Sequence, residues 1–117
     1  MAATAIVNTV LAFNTGAAMP ATAAVDAADG ALITCDKADQ KMLIIMENAD
    51  AANAENVTIK AGNGIQGTED LVIALAASQK KVVTVESGKY KNVSGTLKGK
   101  IKITGTADVK LACVVLP

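Results

Sequence analysis

Towards the C-terminus, hydrophobic residues recur at every second position, and this spacing constrains the fold more than any other feature of the chain. Lys100-Ile101-Lys102-Ile103-Thr104 alternates, and Asp108 to Val115 places Val109, Leu111, Cys113 and Val115 on one side. Successive side chains of a strand point to opposite faces, so a period of two predicts half-buried strands. Val57-Thr58-Ile59-Lys60-Ala61 repeats the pattern with Val57 and Ile59 inward, and Lys81 to Glu86 reads as strand from its β-branched residues. Met42 to Met46 is apolar on both faces, as expected of a central strand or of one whose second face meets another subunit. Thr4 to Phe13, Ala31 to Cys35 and Leu71 to Ala76 are further strands, the last expected to be buried.

Turn-forming clusters separate these segments: Asn14-Thr15-Gly16, Asp29-Gly30, Asp36 to Asp39, Asn48 to Asn56, Gly62-Asn63-Gly64, Ser87-Gly88, Ser94-Gly95 and Gly105. Short strands with frequent turns predict an all-β, jelly-roll-like β-sandwich. Ala17 to Ala28 is rich in Ala, but Pro20, Thr22, Val25 and Asp26 break any helical stripe, so it reads as an extended arm or loop. The 117 residues suit one domain. Residues 1–30 are the N-terminal arm and first strand, and residues 31–117 the sandwich core.

Composition narrows the chemistry. The chain has no His and no Arg, and Phe13 and Tyr90 are its aromatics. Catalysis by a His base, His-containing metal sites and bidentate Arg recognition of phosphate are therefore excluded. No catalytic residue, metal ligand or cofactor is expected. Cys35 and Cys113 are far apart in sequence and read as buried free thiols. Paired acids at Asp36/Asp39 and Glu69/Asp70 read as solvated turns, although oxygen ligands at Asp36 to Asp39 would suit Ca²⁺. The N-terminal stretch lacks a leading Lys and is interrupted by Asn8 and Asn14, so it makes a poor signal peptide. No apolar run approaches the roughly eighteen residues of a membrane span. The expectation is a soluble protein made in the cytoplasm with no membrane partner.

Lys and acidic residues balance at eleven each, but unevenly: residues 1–79 carry a net −6 and residues 80–117 a net +6. If folding keeps them apart, copies can pack head to tail. Lys89, Lys91, Lys98, Lys100 and Lys102 with Tyr90 form the one basic tract, whose alternation fits a solvated strand face better than a nucleic-acid surface. Gly62-Asn63-Gly64-Ile65-Gln66-Gly67 matches the glycine pattern of a dinucleotide-binding turn. Thr58 and Lys60 make the preceding strand too polar for a covered parallel sheet, and Leu71-Val72-Ile73-Ala74-Leu75 has no polar helical stripe. A loop between strands is the better reading.

The order Met42-Leu43-Ile44-Ile45 with Glu47-Asn48, Val57-Thr58-Ile59-Lys60-Ala61-Gly62, Asp70-Leu71-Val72-Ile73, Val85-Glu86-Ser87-Gly88-Lys89-Tyr90 and the terminal Val115-Leu116-Pro117 resembles small structural proteins of tailed bacteriophages and prophages. The match covers about residues 40–117. Lys89-Tyr90 stands where the family pattern has Arg-Phe, and the loop after Gly62 is shorter. The resemblance implies a head decoration or cement protein on the virion surface, with the major capsid protein as partner, a homo-oligomer with a trimer favoured, and no enzymatic activity. A tail-tube or fibre-associated subunit is the alternative it leaves open. Met42, Ile44 and Met46 on the doubly apolar strand, and Ile6, Val10 and Phe13 near the N-terminus, are the residues expected at subunit contacts.

Overall fold

The computed structural model describes residues 3–117; Met1 and Ala2, where the expected arm begins, lie outside the described residues. Ten strands are described: β1 (Thr4–Ala5), β2 (Asn8–Val10), β3 (Ala23–Ala24), β4 (Ala31–Thr34), β5 (Met42–Asn48), β6 (Glu55–Ile59), β7 (Leu71–Leu75), β8 (Lys80–Val83), β9 (Lys100–Thr104) and β10 (Val109–Val115). One helical turn, α1 (Ser87–Tyr90), follows β8. The strands form two five-stranded sheets packed as a sandwich. One has the order β1-β4-β9-β6-β7; the other runs β2-β10-β5-β8, with β3 also paired to β10. Both sheets are mixed, because β1 lies parallel to β4 and β2 parallel to β10.

The alternation seen in the sequence becomes the core. Val109, Leu111, Cys113 and Val115 are fully buried on β10, facing Ile33, Val57, Ile59, Ile101 and Ile103 of the other sheet in one hydrophobic cluster. β10 is paired with β5 along its whole length, from Val109 opposite Asn48 to Val115 opposite Met42. With β10 on one side and β8 on the other, β5 is a central strand, the first of the two alternatives its sequence leaves open. Lys100 and Lys102 alternate with buried Ile101 and Ile103 and so lie on the outer face of β9.

Two expectations change. Leu71–Leu75 is an edge strand, half-buried, with Val72 56% exposed; its apolar composition concealed that only its odd-numbered residues face the core. The stretch from Thr4 to Phe13 is not one strand. It leaves the first sheet after β1, buries Ile6, and enters the second sheet as β2. The expected arm, residues 1–30, instead gives β1, β2, β3 and the buried Val25 to the sandwich. Between β2 and β3 no strand forms from Leu11 to Thr22, and residues 12–19 are all exposed.

Asn48 is the buried polar side chain of the core, 1% exposed. Its Nδ2 donates to the carbonyl oxygens of Asn53 (2.9 Å), Ala76 (3.1 Å) and Leu75 (3.4 Å), and its Oδ1 accepts the Asp50 N–H (2.9 Å). One amide thus joins the end of β5 in one sheet to the end of β7 in the other. A buried amide costs free energy unless bonded, and here both its ends are used.

Candidate interaction surface

Met42, Ile44, Met46 and Ile6, expected at a subunit contact, are instead buried inside the sandwich, at most 8% exposed. The reason is geometric: the apolar side chains at even-numbered positions of β5 form its core face, and Leu43 and Ile45 on the opposite face are only half-buried. Val10 and Phe13 do reach solvent, at 63% and 77% exposure. Val10 ends β2, and Phe13 shares the following loop to β3 with Met19, 87% exposed. No charged residue occurs before Asp26, so this loop presents apolar side chains without a charged rim of its own. Large apolar side chains left in solvent on one short stretch of chain are candidates for burial against a partner.

The glycine motif forms a second exposed tip. Gly62 and Gly67 are needed because backbone passes where a Cβ would stand: at Gly62 it would overlap the Lys91 carbonyl, and at Gly67 the Gly62 carbonyl. The Gly62 N–H donates to the Lys89 oxygen (2.9 Å) and the Gly67 N–H to the Gly64 oxygen (3.1 Å). Asn63 closes the tip, donating from Nδ2 to the Ser94 oxygen (3.0 Å) and accepting the Val93 N–H at Oδ1 (2.8 Å). The amides of Gly62 and Gly67 are thus committed to the protein's own carbonyls. β6 and β7, which flank the motif, are antiparallel neighbours with no helix between them, so the loop is not the turn of a βαβ unit. Ile65, fully exposed, stands at its apex.

The charged candidates separate. Asp36 accepts a bond from Asn8 Nδ2 (2.7 Å), while Asp39 accepts the Ser87 N–H (3.0 Å) at the start of α1. Asp70 accepts from Lys60 Nζ (2.8 Å) and from the Ala61 N–H (2.7 Å), and the lysine bond, with that amide, holds its carboxyl below the usual range. Lys89 is paired with Glu86 (3.1 Å), and Tyr90 packs partly buried against the core, so the basic tract has no free aromatic to stack on bases. The carboxylates that do converge are Asp50, Glu55 and Asp108, with oxygens within 4.8 Å of one another. Asp50 and Glu55 lie at the two ends of the β5–β6 connection, but Asp108, on the β9–β10 turn, is more than fifty residues away and joins them only in the folded sandwich, so sequence spacing did not reveal the group. Their oxygens suit a hard cation in type. However, Asp50 already accepts the N–H groups of Ala52 and Asn53, which lower its pKa.

The cysteines are both free. Burial pushes the Cys113 thiol up to about 11 and raises that of half-buried Cys35. Beside Cys35 a small, mostly apolar depression is lined by Ile33, Met42, Ile44, Val85 and Ile101, with Asp39 and Ser87 at its polar side. No helix among the described residues is long and apolar enough to cross a membrane. Comparison with known proteins finds no matching family model, no matching curated protein and no matching solved structure.

Proposed function

We propose that this chain is a structural virion protein: a jelly-roll-like subunit that decorates a tailed-phage capsid and stabilises it by binding across major capsid protein subunits. The observation that carries the reading is the charge-free stretch from the end of β2 to β3, anchored at both ends and presenting Val10, Phe13 and Met19 to solvent. Such a loop has apolar area to bury on a partner while the sandwich stays folded behind it. A second support is the use of the phage-like motif residues. Gly62 packs against Lys91, Asp70 ties Lys60 and Ala61, and Glu86 pairs with Lys89, all of them scaffolding roles. The amides of Gly62 and Gly67 and the side chains of Asn48, Asn63, Asp39 and Asp70 hold the protein's own turns and sheet ends, which is compatible with a non-enzymatic subunit. Many modest contacts repeated over a symmetric shell add up through multivalency.

The test is to mix purified protein with expanded heads lacking decoration, sediment them, and locate bound protein by cryo-EM. Regular density across capsid subunit junctions is expected, together with heads that survive more heat or pressure. The variants Phe13→Ser and Met19→Ser should reduce binding while leaving the circular dichroism spectrum unchanged. Protein found on tails, or absent from heads at every concentration, overturns the reading.

A further inference from the structure

We propose that the free edge of β7 pairs with the same edge of a second copy, joining two sandwiches about a two-fold axis at Ile73. The inference starts from which backbone groups are spoken for. The Lys60 N–H donates to the Lys102 oxygen on β9, so the even-numbered residues of β6 turn their backbone groups towards β9 and the odd-numbered ones towards β7. In the β6–β7 register, Val57 lies opposite Ile73, Ile59 opposite Leu71 and Glu55 opposite Leu75. Leu71, Ile73 and Leu75 are therefore bonded to β6, and Val72 and Ala74 point their N–H and C=O groups away from the sheet.

Of those four groups one is covered. Lys81 Nζ reaches across from β8 and donates to the Ala74 oxygen (2.9 Å). Among the described residues, the Val72 N–H, the Val72 C=O and the Ala74 N–H have no partner in the protein. The next outward amide, that of Ala76, is satisfied by Gln79 Oε1 (2.8 Å), so the unpaired stretch is confined to the strand. Unprotected edges of this kind are templates for another strand. The other free edges fit less well: β1 and β2 are two and three residues long, and β8 carries Lys80 and Lys81 in succession. β7 is five residues without a charge.

The occupant is a second copy because the edge is self-complementary. Antiparallel pairing centred on Ile73 sets Val72 opposite Ala74 of the partner copy, and the reverse, so four N–H···O bonds form and every open group is used. The same alignment brings the Lys81 end of one strand alongside the Glu69–Asp70 end of the other, on both sides of the axis. Lys81 has then only to exchange one exposed carbonyl contact, worth little in water, for a carboxylate. Exposed Val72 lies in the centre of the contact. The area is small for a stable dimer, so association is concentration-dependent and suits reinforcement on a shell. The surface is distinct from the β2–β3 loop, and the pairing does not depend on the capsid reading.

Sedimentation velocity over a concentration series, at low and high salt, with amide exchange read at Val72 and Ala74, tests this without heads. A monomer–dimer equilibrium is expected, weaker in high salt, with both amides gaining protection as dimer forms. Val72→Lys sets the two new lysines, one from each copy, as diagonal neighbours on the same outer face across the axis and should weaken association by about ten-fold or more. It alters only an exposed side chain, so the fold is kept. Glu69→Lys and Lys81→Glu should each weaken pairing, and the double variant should pair more tightly than either. A chain that stays monomeric throughout, a Val72→Lys variant that associates like the parent, or dimers whose Val72 and Ala74 amides remain unprotected would each overturn the proposal.

Discussion

Replacing Asn48 should cost more than its polar character suggests, because it is the amide that ties one sheet to the other. Asn48→Ala removes donations to Asn53, Ala76 and Leu75 and leaves the Asp50 N–H without its acceptor. The Asn53 and Asp50 groups can turn to water, so each loss is near the net value of a hydrogen bond, about 1 kcal/mol. The Leu75 oxygen keeps its place in the β6–β7 ladder and the Ala76 oxygen keeps the Gln79 N–H, so these two losses together add about 1 kcal/mol. The sum, about 3 kcal/mol, is a large share of the roughly 5–15 kcal/mol that holds a domain together. It corresponds to a fall in Tm of about 12 °C, taking about 4 °C per kcal/mol at this chain length. Urea unfolding followed by circular dichroism should show a lower midpoint at unchanged slope. Asn48→Asp is the sharper control. It puts a carboxylate oxygen where the donor stood, against carbonyl oxygens, so its folded-state pKa is raised above the unfolded value. The folded state then binds the proton more tightly, and this variant should regain stability as pH falls through that raised pKa, unlike Asn48→Ala. If Asn48→Ala unfolds within about 0.5 kcal/mol of the parent, or Asn48→Asp shows no such recovery, the sheet-tying role is wrong.

Gly67→Ala should destabilise by about 2 kcal/mol or more, since its Cβ meets the Gly62 backbone and not a movable side chain; thermal unfolding measures it. Cys113 should resist thiol reagents in the native state while half-buried Cys35 reacts faster, as colorimetric thiol titration will show. Because the folded Cys113 pKa, about 11, lies above the unfolded one, its contribution to stability is complete below the unfolded pKa and is lost as pH rises from there towards 11; Cys113→Ala should flatten that alkaline decline. Asp70 behaves oppositely. Its pKa is depressed by Lys60 and the Ala61 N–H, so the stability it adds is present above the ordinary carboxylate pKa and is lost as pH falls through the depressed one; Asp70→Asn should remove that acid dependence.

The interior was legible wherever a strand was long enough to show its period. Val57, Ile59, Ile101, Ile103 and the four odd-numbered residues of β10 from Val109 to Val115 could be placed inward from spacing alone, and all are buried. Strands of two or three residues show no period, which is why the split of Thr4–Val10 between the two sheets could not be read. Nothing local distinguishes Asn48, whose partners lie on another strand, from an Asn in a loop. Met42, Ile44 and Met46, expected at a subunit contact, lie in the core for a related reason. An apolar strand shows that it will be buried, but not whether its own fold or a neighbour does the burying.

Local rules acting over a few residues determined that this chain makes β-strands, which side of each long strand is apolar, and where the turns fall. Which strands pair, which edge is left open at β7, and how Asp50, Glu55 and Asp108 meet were decided only by tertiary packing. The side-chain period is a property of one strand, whereas register and edges belong to pairs of strands brought together over long loops.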